Sequence, residues 1–593
     1  MSVAPPRKVR KVNVPPAEAL FDRRANGTIY VRSPKPLAPY PERLTDRLEY
    51  WAERSPERTF IAQRDAAGTW RHLTYKEALN RVRSISQALL NRGFSNQTPI
   101  AILSGNSIEH ALLAFGAMHV GVLHTSVSPS YSLACSDLTT LRSLLEQLQP
   151  SMLFAADGVA FEQPLKQVLD AGMELVTLSP AKSLRSTAFE ELLDVTPTSA
   201  VDRAHARVTQ DTIAKVLFTS GSTGKPKGVI TTERMLCSNQ EMLRSALAFL
   251  AETPPVLCDW LPWNHVFGGS HNLGLVLYNG GTLYIDEGKP TNGGFATTLA
   301  NLRDVAMTAY FNVPKGFEML LPELRRDAAF RRHFFASLQI LFYAAAGLNP
   351  KVWDELQDLA VDACGEEILM VTGLGATESA PMALCTGPEG AAGRVGLPVP
   401  GVELKVVPLE NKLEARLRGP NITPGFWRDP ELTKSAFDDE GFFKLGDALR
   451  WADPSNPLKG FLFDGRIAED FKLSSGTWVS VGPLRAKLLT CMVGVAHDVV
   501  LTAPDRDYVG ALIFPQVGAN PVAVQSLLDE FARTSTGSST CVERALLLTD
   551  PPSLEAGELT DKGTINQKAV LRNRAALVDE LYAGSPRVLE IKQ

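Results

Sequence analysis

From Tyr40 to about residue 380 the sequence alternates apolar runs of strand length with amphipathic runs of helical spacing. A chain that keeps switching between those two periods builds large sheets flanked by helices, an α/β fold. "YPERLTDRLEYWAERSPERTFIAQR", from Tyr40, reads as a helix followed by a strand. "LTYKEALNRVRSISQALLNRG" has helical spacing, with Gly93 as its stop. "TPIAILSGNSIEHALLAFGAMHVG" reads as strand, turn and helix. After Gly396 the texture changes. "GVELKVV", "EARLRG" and "GFFKLGDALRW" are short strands of a β-rich subdomain, and "FLFDGR" is another, ending in a turn at Asp464-Gly465. Strand and helix patterns mix again beyond that turn. A chain of 593 residues is too long for one core. The expected organisation is a large N-terminal domain, residues 1–464, of two α/β sheet subdomains plus the β-rich subdomain. A small mobile α+β lid, residues 465–593, would follow.

Residues 1–40 are rich in proline and basic residues and should run as extended chain over a domain surface. Their cluster Arg7, Lys8, Arg10 and Lys11 reads as a solvated tail. The formal net charge of −5 speaks against a nucleic-acid partner. "ALLAFGAMHVGVLHTSV", with His119 and His124, is too short and polar to span a bilayer, so it reads as a buried helix and strand and no membrane partner is expected. Seven scattered cysteines without a CxxC suggest neither a disulfide framework nor a zinc site, and a reducing cytoplasm fits.

The stretch with most chemistry is "LFTSGSTGKPKGVI", Leu217 to Ile230. It is not a Walker A loop, because only Ser222 and Thr223 separate Gly221 from Gly224 and Pro226 follows Lys225. It still suits phosphate. Three glycines let backbone N–H groups approach an anion. Thr219, Ser220, Ser222 and Thr223 add hydroxyls, and Lys225 and Lys227 add charge. Apolar runs on both sides make it a loop between two strands, a clamp over a triphosphate.

This loop resembles the signature of the adenylate-forming superfamily of acyl-CoA synthetases, adenylation domains and luciferases. Further stretches follow it in the family's order. "LPWNHVFGG" sets His265 between an apolar strand and a Gly-rich turn. By resemblance, His265 shields the reacting carboxylate, while Phe267 and Ser270 line the acyl pocket. "VTGLGATESAP" resembles the family's "YGxTE": Gly375 and Thr377 would meet the adenylate, and Glu378 would reach Mg²⁺, a cation that prefers oxygen ligands. Leu374 stands where the family has an aromatic residue. "FFKLGDALRW" resembles "WxxTGD", with Asp447 accepting hydrogen bonds from the ribose hydroxyls. "FDGRIAEDFKLSSG" resembles the hinge of a mobile C-terminal domain. Arg466 would contact ribose or phosphate, Ala468 or Glu469 holds the hinge position, and Lys472 would face the site in one orientation.

The narrower resemblance, carried by "NGTIYVRSPKPLAPYP" and "GRIAEDFKLSSGTWVSVGPLR", is to bacterial feruloyl-CoA synthetases. It implies ATP, Mg²⁺ and coenzyme A, and a hydroxycinnamic acid as acyl donor. Another aryl or medium-chain acid is the alternative substrate, and a non-catalytic nucleotide sensor is the alternative of another class. The family's C-terminal catalytic lysine follows a glycine, but here Thr564 follows Gly563. Thr564-Ile565-Asn566-Gln567 fits a capping box before "INQKAVLRNRAALVDELY". Lys562 is the preferred substitute for the missing lysine and Lys568 the second candidate.

Overall fold

The computed structural model describes residues 7–135, 137–220, 226–291, 293–410, 412–504, 506–516, 518–553, 555–559 and 564–591, without the side chain of Ser220. Among them, no helix is long and apolar enough to cross a membrane.

The alternating region folds as its periods dictate. Helix Tyr75–Asn91 begins at Thr74, whose hydroxyl accepts from Glu77 N while the Glu77 carboxylate accepts from Thr74 N, a capping box that contributes about 1 kcal/mol. The helix ends before Gly93, which takes a positive φ. Helix Ile108–His119 is buried on all sides, which explains why its sequence shows no polar face. A parallel core of Ile100–Leu103, His124–Val127, Met152–Asp157 and Glu174–Ser179 forms the centre of one sheet. At its edge lies the antiparallel hairpin Ile213–Ser220 and Pro226–Thr232, the two strands expected around the loop. A smaller sheet joins Val256–Asp259, Thr282–Ile285, Thr59–Arg64 and Trp70–Thr74.

The strands after Gly396 do not close on themselves. Glu403–Leu409, Lys412–Arg418, Phe443–Trp451 and Phe461–Arg466 run antiparallel and continue into the parallel strands Leu369–Gly375, Ile340–Tyr343 and Ala309–Asn312, making one eleven-stranded sheet among the described residues. The strand expected to end at Asp464-Gly465 runs on to Arg466. Its last residue pairs with Asp447, which places both in one register.

The N-terminal segment departs from expectation. Leu20–Arg23 and Ile29–Arg32 form strands at the sheet's edge, with Ile29–Arg32 paired to Glu403–Leu409. The basic cluster is not a solvated tail. Arg10 is mostly buried, donates to the carbonyls of Phe335 and Leu338 and pairs with Glu366, while Arg7 and Lys8 pair with Asp358 and Glu366. These carbonyls and carboxylates come from segments over 300 residues away, so no local pattern announced them.

Beyond Phe471 the apolar side chains pack among themselves, around the sheet Ala496–Thr502, Val509–Pro515, Val542–Leu547 and Val588–Glu590. The expected long helix after Thr564 is split into Gln567–Asn573 and Ala575–Ala583. Asn566, not Thr564, caps the first of these, accepting from Ala569 N. Asn is as good a cap as Thr, and with the helix starting two residues later Thr564 lines a cavity.

Candidate active site

A cavity of 3590 Å³ opens between the large sheets and the C-terminal segment. That exceeds the space one small ligand needs and leaves room for several substrates. The glycine-rich hairpin reaches it end-on. Thr219 and Lys227 are paired across the hairpin and both line the cavity. Gly221, Ser222, Thr223, Gly224 and Lys225 lie outside the described residues, as does the side chain of Ser220.

The turn after Leu369–Gly375 forms a second wall. Leu374, Gly375, Thr377 and Glu378 all line the cavity. Gly375 is required here, because a Cβ on it would stand 1.6 Å from the Pro381 carbonyl oxygen. That close fold-back tucks Thr377 and Glu378 into the short helical turn Thr377–Ser379. Burial raises the Glu378 carboxyl above its ordinary range, against the pull of Arg466 and Lys227. The arrangement thus gathers residues 227, 378 and 466 at one place.

Asp447 and Arg466 make the third wall. Asp447 is 3% exposed, and Arg466 Nε lies 2.8 Å from its Oδ1. Burial pushes the Asp447 carboxyl up to about 6; Arg466 opposes this, while Glu378 and Glu469 add to it. Such a carboxylate, desolvated and held beside one cation, suits hydroxyl donors.

The apolar end lies past Trp260. Residues Phe267–Asn272 form a π-helical turn where the sequence suggested an open Gly-rich turn. Gly268 and Gly269 press on the backbone of residues 261–263, leaving no room for a Cβ. The turn sets His265 and Phe267 on the cavity wall. Phe267 N donates to His265 Nδ1 at 3.1 Å, so the His265 proton sits on Nε2. Ser270, expected in the acyl pocket, is buried and does not line the cavity; the wider helical turn brings His271 there instead.

Sequence reasoning missed His271. Its ring packs 5.2–5.4 Å, centroid to centroid, from Phe267, Phe311 and Phe342. Asn272 Oδ1 lies 2.8 Å from its Nδ1, while the Asn272 amide faces the buried Asp259 carboxyl. An amide turned that way offers His271 an acceptor, so Nδ1 carries the proton and Nε2 the lone pair. Nε2 is buried and finds no hydrogen-bond partner among the described residues. Burial holds the ring neutral, at about 4. The signal in the sequence was the four-residue spacing of Phe267 and His271, one helical turn, hidden by the glycines between them.

From the C-terminal segment, Thr564, Lys568 and Arg572 line the cavity. Lys562 lies outside the described residues. Lys472 stands away from the cavity, with Nζ 4.8 Å from the Trp478 ring centroid and 3.6 Å from Glu410.

A family model described as AMP-binding enzyme matches residues 48–427. The chain is 28% identical over 468 residues to a probable CoA ligase of Humulus lupulus, covering 74% of this chain and 73% of that protein. It is 25% identical over 478 residues to the 3-hydroxybenzoate–CoA/4-hydroxybenzoate–CoA ligase of Thauera aromatica, covering 78% and 84%. Among solved structures, an anthranilate CoA ligase in complex with anthranoyl-AMP superposes with a TM-score of 0.73 at 19% identity, covering 92% of this chain and 99% of that one.

Proposed function

The chain belongs to the AMP-binding enzyme family, and from that premise we propose that it is an ATP-dependent acid–CoA ligase for a hydroxycinnamic acid such as ferulate. The carrying observation is the aromatic end of the cavity, where Phe267, Phe342 and His271 line the same cavity as Lys227, Glu378 and Asp447. A planar acid would stack on these rings. His271 Nε2, buried and without a hydrogen-bond partner among the described residues, would favour a ring whose hydrogen-bond donor reaches it. A phenolic hydroxyl meets that need. The curated relative's hydroxybenzoates and the structural neighbour's anthranilate are also ring acids with a donor.

The hairpin loop with Thr219 and Lys227 would hold the triphosphate. Asp447 would accept the ribose hydroxyls with Arg466 beside it, and Leu374 would pack on the base. His265 Nε2–H would donate to the acid carboxylate and orient it toward the α-phosphorus. A new carboxylate-oxygen–phosphorus bond forms as the bond to the bridging oxygen breaks, and pyrophosphate leaves. Glu378, a half-buried oxygen donor facing the cavity near Lys227 and Arg466, fits Mg²⁺. When bound, that ion offsets the charge of the phosphates. In the second half-reaction coenzyme A, as thiolate, attacks the acyl carbon and AMP departs. Lys289, Lys315, Lys351, Arg485 and Lys487 on the cavity wall suit so anionic a substrate. Residues 465–593 would rotate as a lid between the half-reactions, bringing Lys472 in from outside.

ATP–pyrophosphate exchange with ferulate, with cinnamate and without acid tests the reading. Exchange driven by ferulate and weakly by cinnamate is expected. Exchange driven equally by both, or by an aliphatic acid instead, refutes the hydroxycinnamate assignment. Absence of exchange with any acid refutes the ligase.

A further inference from the structure

A buried lysine outside the cavity has no role in the chemistry above. Lys412, on strand Lys412–Arg418, has a side chain only 8% exposed. Its Nζ donates to the Asp464 carbonyl at 2.8 Å and pairs with the carboxylate of Asp470, itself 4% exposed. The other oxygen of Asp470 accepts from Val481 N at 2.9 Å, at the start of helix Val481–Cys491. One cation therefore grips both ends of the segment from Asp464 to Asp470. Arg466 and Glu469, the two groups of that segment that face Asp447, lie between the grips.

The backbone there lacks a regular ladder to hold it. The pairing of strands Phe443–Trp451 and Phe461–Arg466 shifts register between Asp447 and Leu449. Gly446 and Gly465 both take positive φ, at 75° and 92°, beside the paired residues. A bulge with two glycines leaves the chain free to swing unless something pins it. Burying a lysine and an aspartate is costly, and their mutual pairing with added hydrogen bonds offsets that cost only when the geometry is fixed.

We infer that Lys412 is a positioning residue for the nucleotide half of the site in the lid orientation seen here, a staple across residues 464–470 that holds Arg466 against Asp447 and is released when the lid rotates. It rests on the ribose-binding role given above to Asp447, but its structural part does not. The groups facing Asp447 are Arg466 from its paired strand, Glu378 from the turn after Leu369–Gly375, and Glu469 from the stapled segment. Arg466 alone opposes the upward push of burial and the two acids. Loosening Arg466 raises the pH at which Asp447 loses its charge, so AMP binding fails at a higher pH.

The test uses the full chain with Lys412→Met, and with the double change Lys412→Met/Asp470→Asn, which leaves no buried charge unpaired. Two quantities are measured: the rate of tryptic cleavage after Arg466 in the native protein, and AMP affinity against pH by calorimetry. Cleavage should accelerate about tenfold and AMP affinity at neutral pH fall about tenfold, the size of one charge-assisted hydrogen bond. The acid limb should move to higher pH, and Lys412→Arg should restore all three. A folded variant with unchanged cleavage and an unchanged acid limb overturns the inference, even if its melting temperature has dropped. If the wild type binds no AMP, the nucleotide reading falls, and the cleavage rate alone decides the staple.

Discussion

The two ends of the cavity are built differently. The nucleotide end is assembled from short motifs with one or two chemical groups each: Thr219 and Lys227 from the hairpin, Thr377 and Glu378 from the turn, Asp447 and Arg466 from paired strands. Its energetics are those of buried charge. The acyl end is a packed aromatic box, Phe267, His271, Phe311 and Phe342, gathered from three separate segments with a single polar edge. On the proposed reading, charge at one end and shape at the other would let one fold keep its nucleotide chemistry while the acid is chosen by packing. Changes at the nucleotide end should therefore touch every acid equally, and changes at the acyl end should touch only the ranking of acids.

The junction of the two ends carries the largest expected effect. Either Lys562→Ala or Lys568→Ala should lower pyrophosphate exchange by about 10²–10³-fold, as removal of a transition-state donor does. The same variant should leave thioester formation from supplied acyl-adenylate largely intact. Lys562 is the preferred candidate, although Lys568 is the one seen on the cavity wall. If both variants keep full exchange, the bridging charge comes from neither.

Asp447→Ala would remove the acceptor proposed for the two ribose hydroxyls. It should reduce kcat/KM for ATP by about 10²-fold, with the same factor for every acid. A factor that depends on the acid breaks the division between the ends. His271→Phe keeps the aromatic packing and removes the acceptor. It should cut the preference for ferulate over cinnamate about tenfold, with the KM for ATP unmoved. An unchanged preference takes His271 out of acid recognition.

The pH dependence sharpens the same division. Asp447 titrates at about 6, raised by burial. AMP affinity requires its ionised form, so affinity should be flat above neutrality and weaken by about tenfold per pH unit well below that value. The sign is opposite for stability: a carboxyl raised in the folded state costs stability as pH rises through the interval between its ordinary value and about 6. Calorimetric titration with AMP between pH 5 and 8 checks the first statement, and flat affinity throughout removes Asp447 as the titrating ligand. The smallest effect is expected at Glu378. Glu378→Gln should raise the Mg²⁺ concentration for half-maximal rate severalfold, read from a Mg²⁺ titration at saturating ATP.

Much of the nucleotide end was legible in the sequence. The stretches "TSGSTGKPKG", "ATES" and "KLGD" are each contiguous, so their chemistry is read from neighbours in the chain. At the aromatic end, His265 and Phe267 were the named residues that the structure sets on the cavity wall. Ser270 was given by resemblance and His271 was not considered; packing on residues 261–263 winds the glycines into a π-helical turn that sets His271, not Ser270, on the cavity wall. The N-terminal basic cluster and the Thr564 cap were misjudged for a related reason. Acceptors for Arg10 lie hundreds of residues away, and Asn566 competes with Thr564 on equal terms.

By itself, then, the sequence determined the periods of strand and helix, the hairpin around the loop, and the order of the motifs that line the cavity, all consequences of sterics and hydrogen bonding within a few residues. Only the tertiary structure decided which side chains share the cavity, that Arg466 meets Asp447, that His271 closes the aromatic box, and that Lys412 grips Asp464 and Asp470. Those relations join residues far apart in the chain, and burial, which acts on volume and charge rather than on sequence distance, selects them.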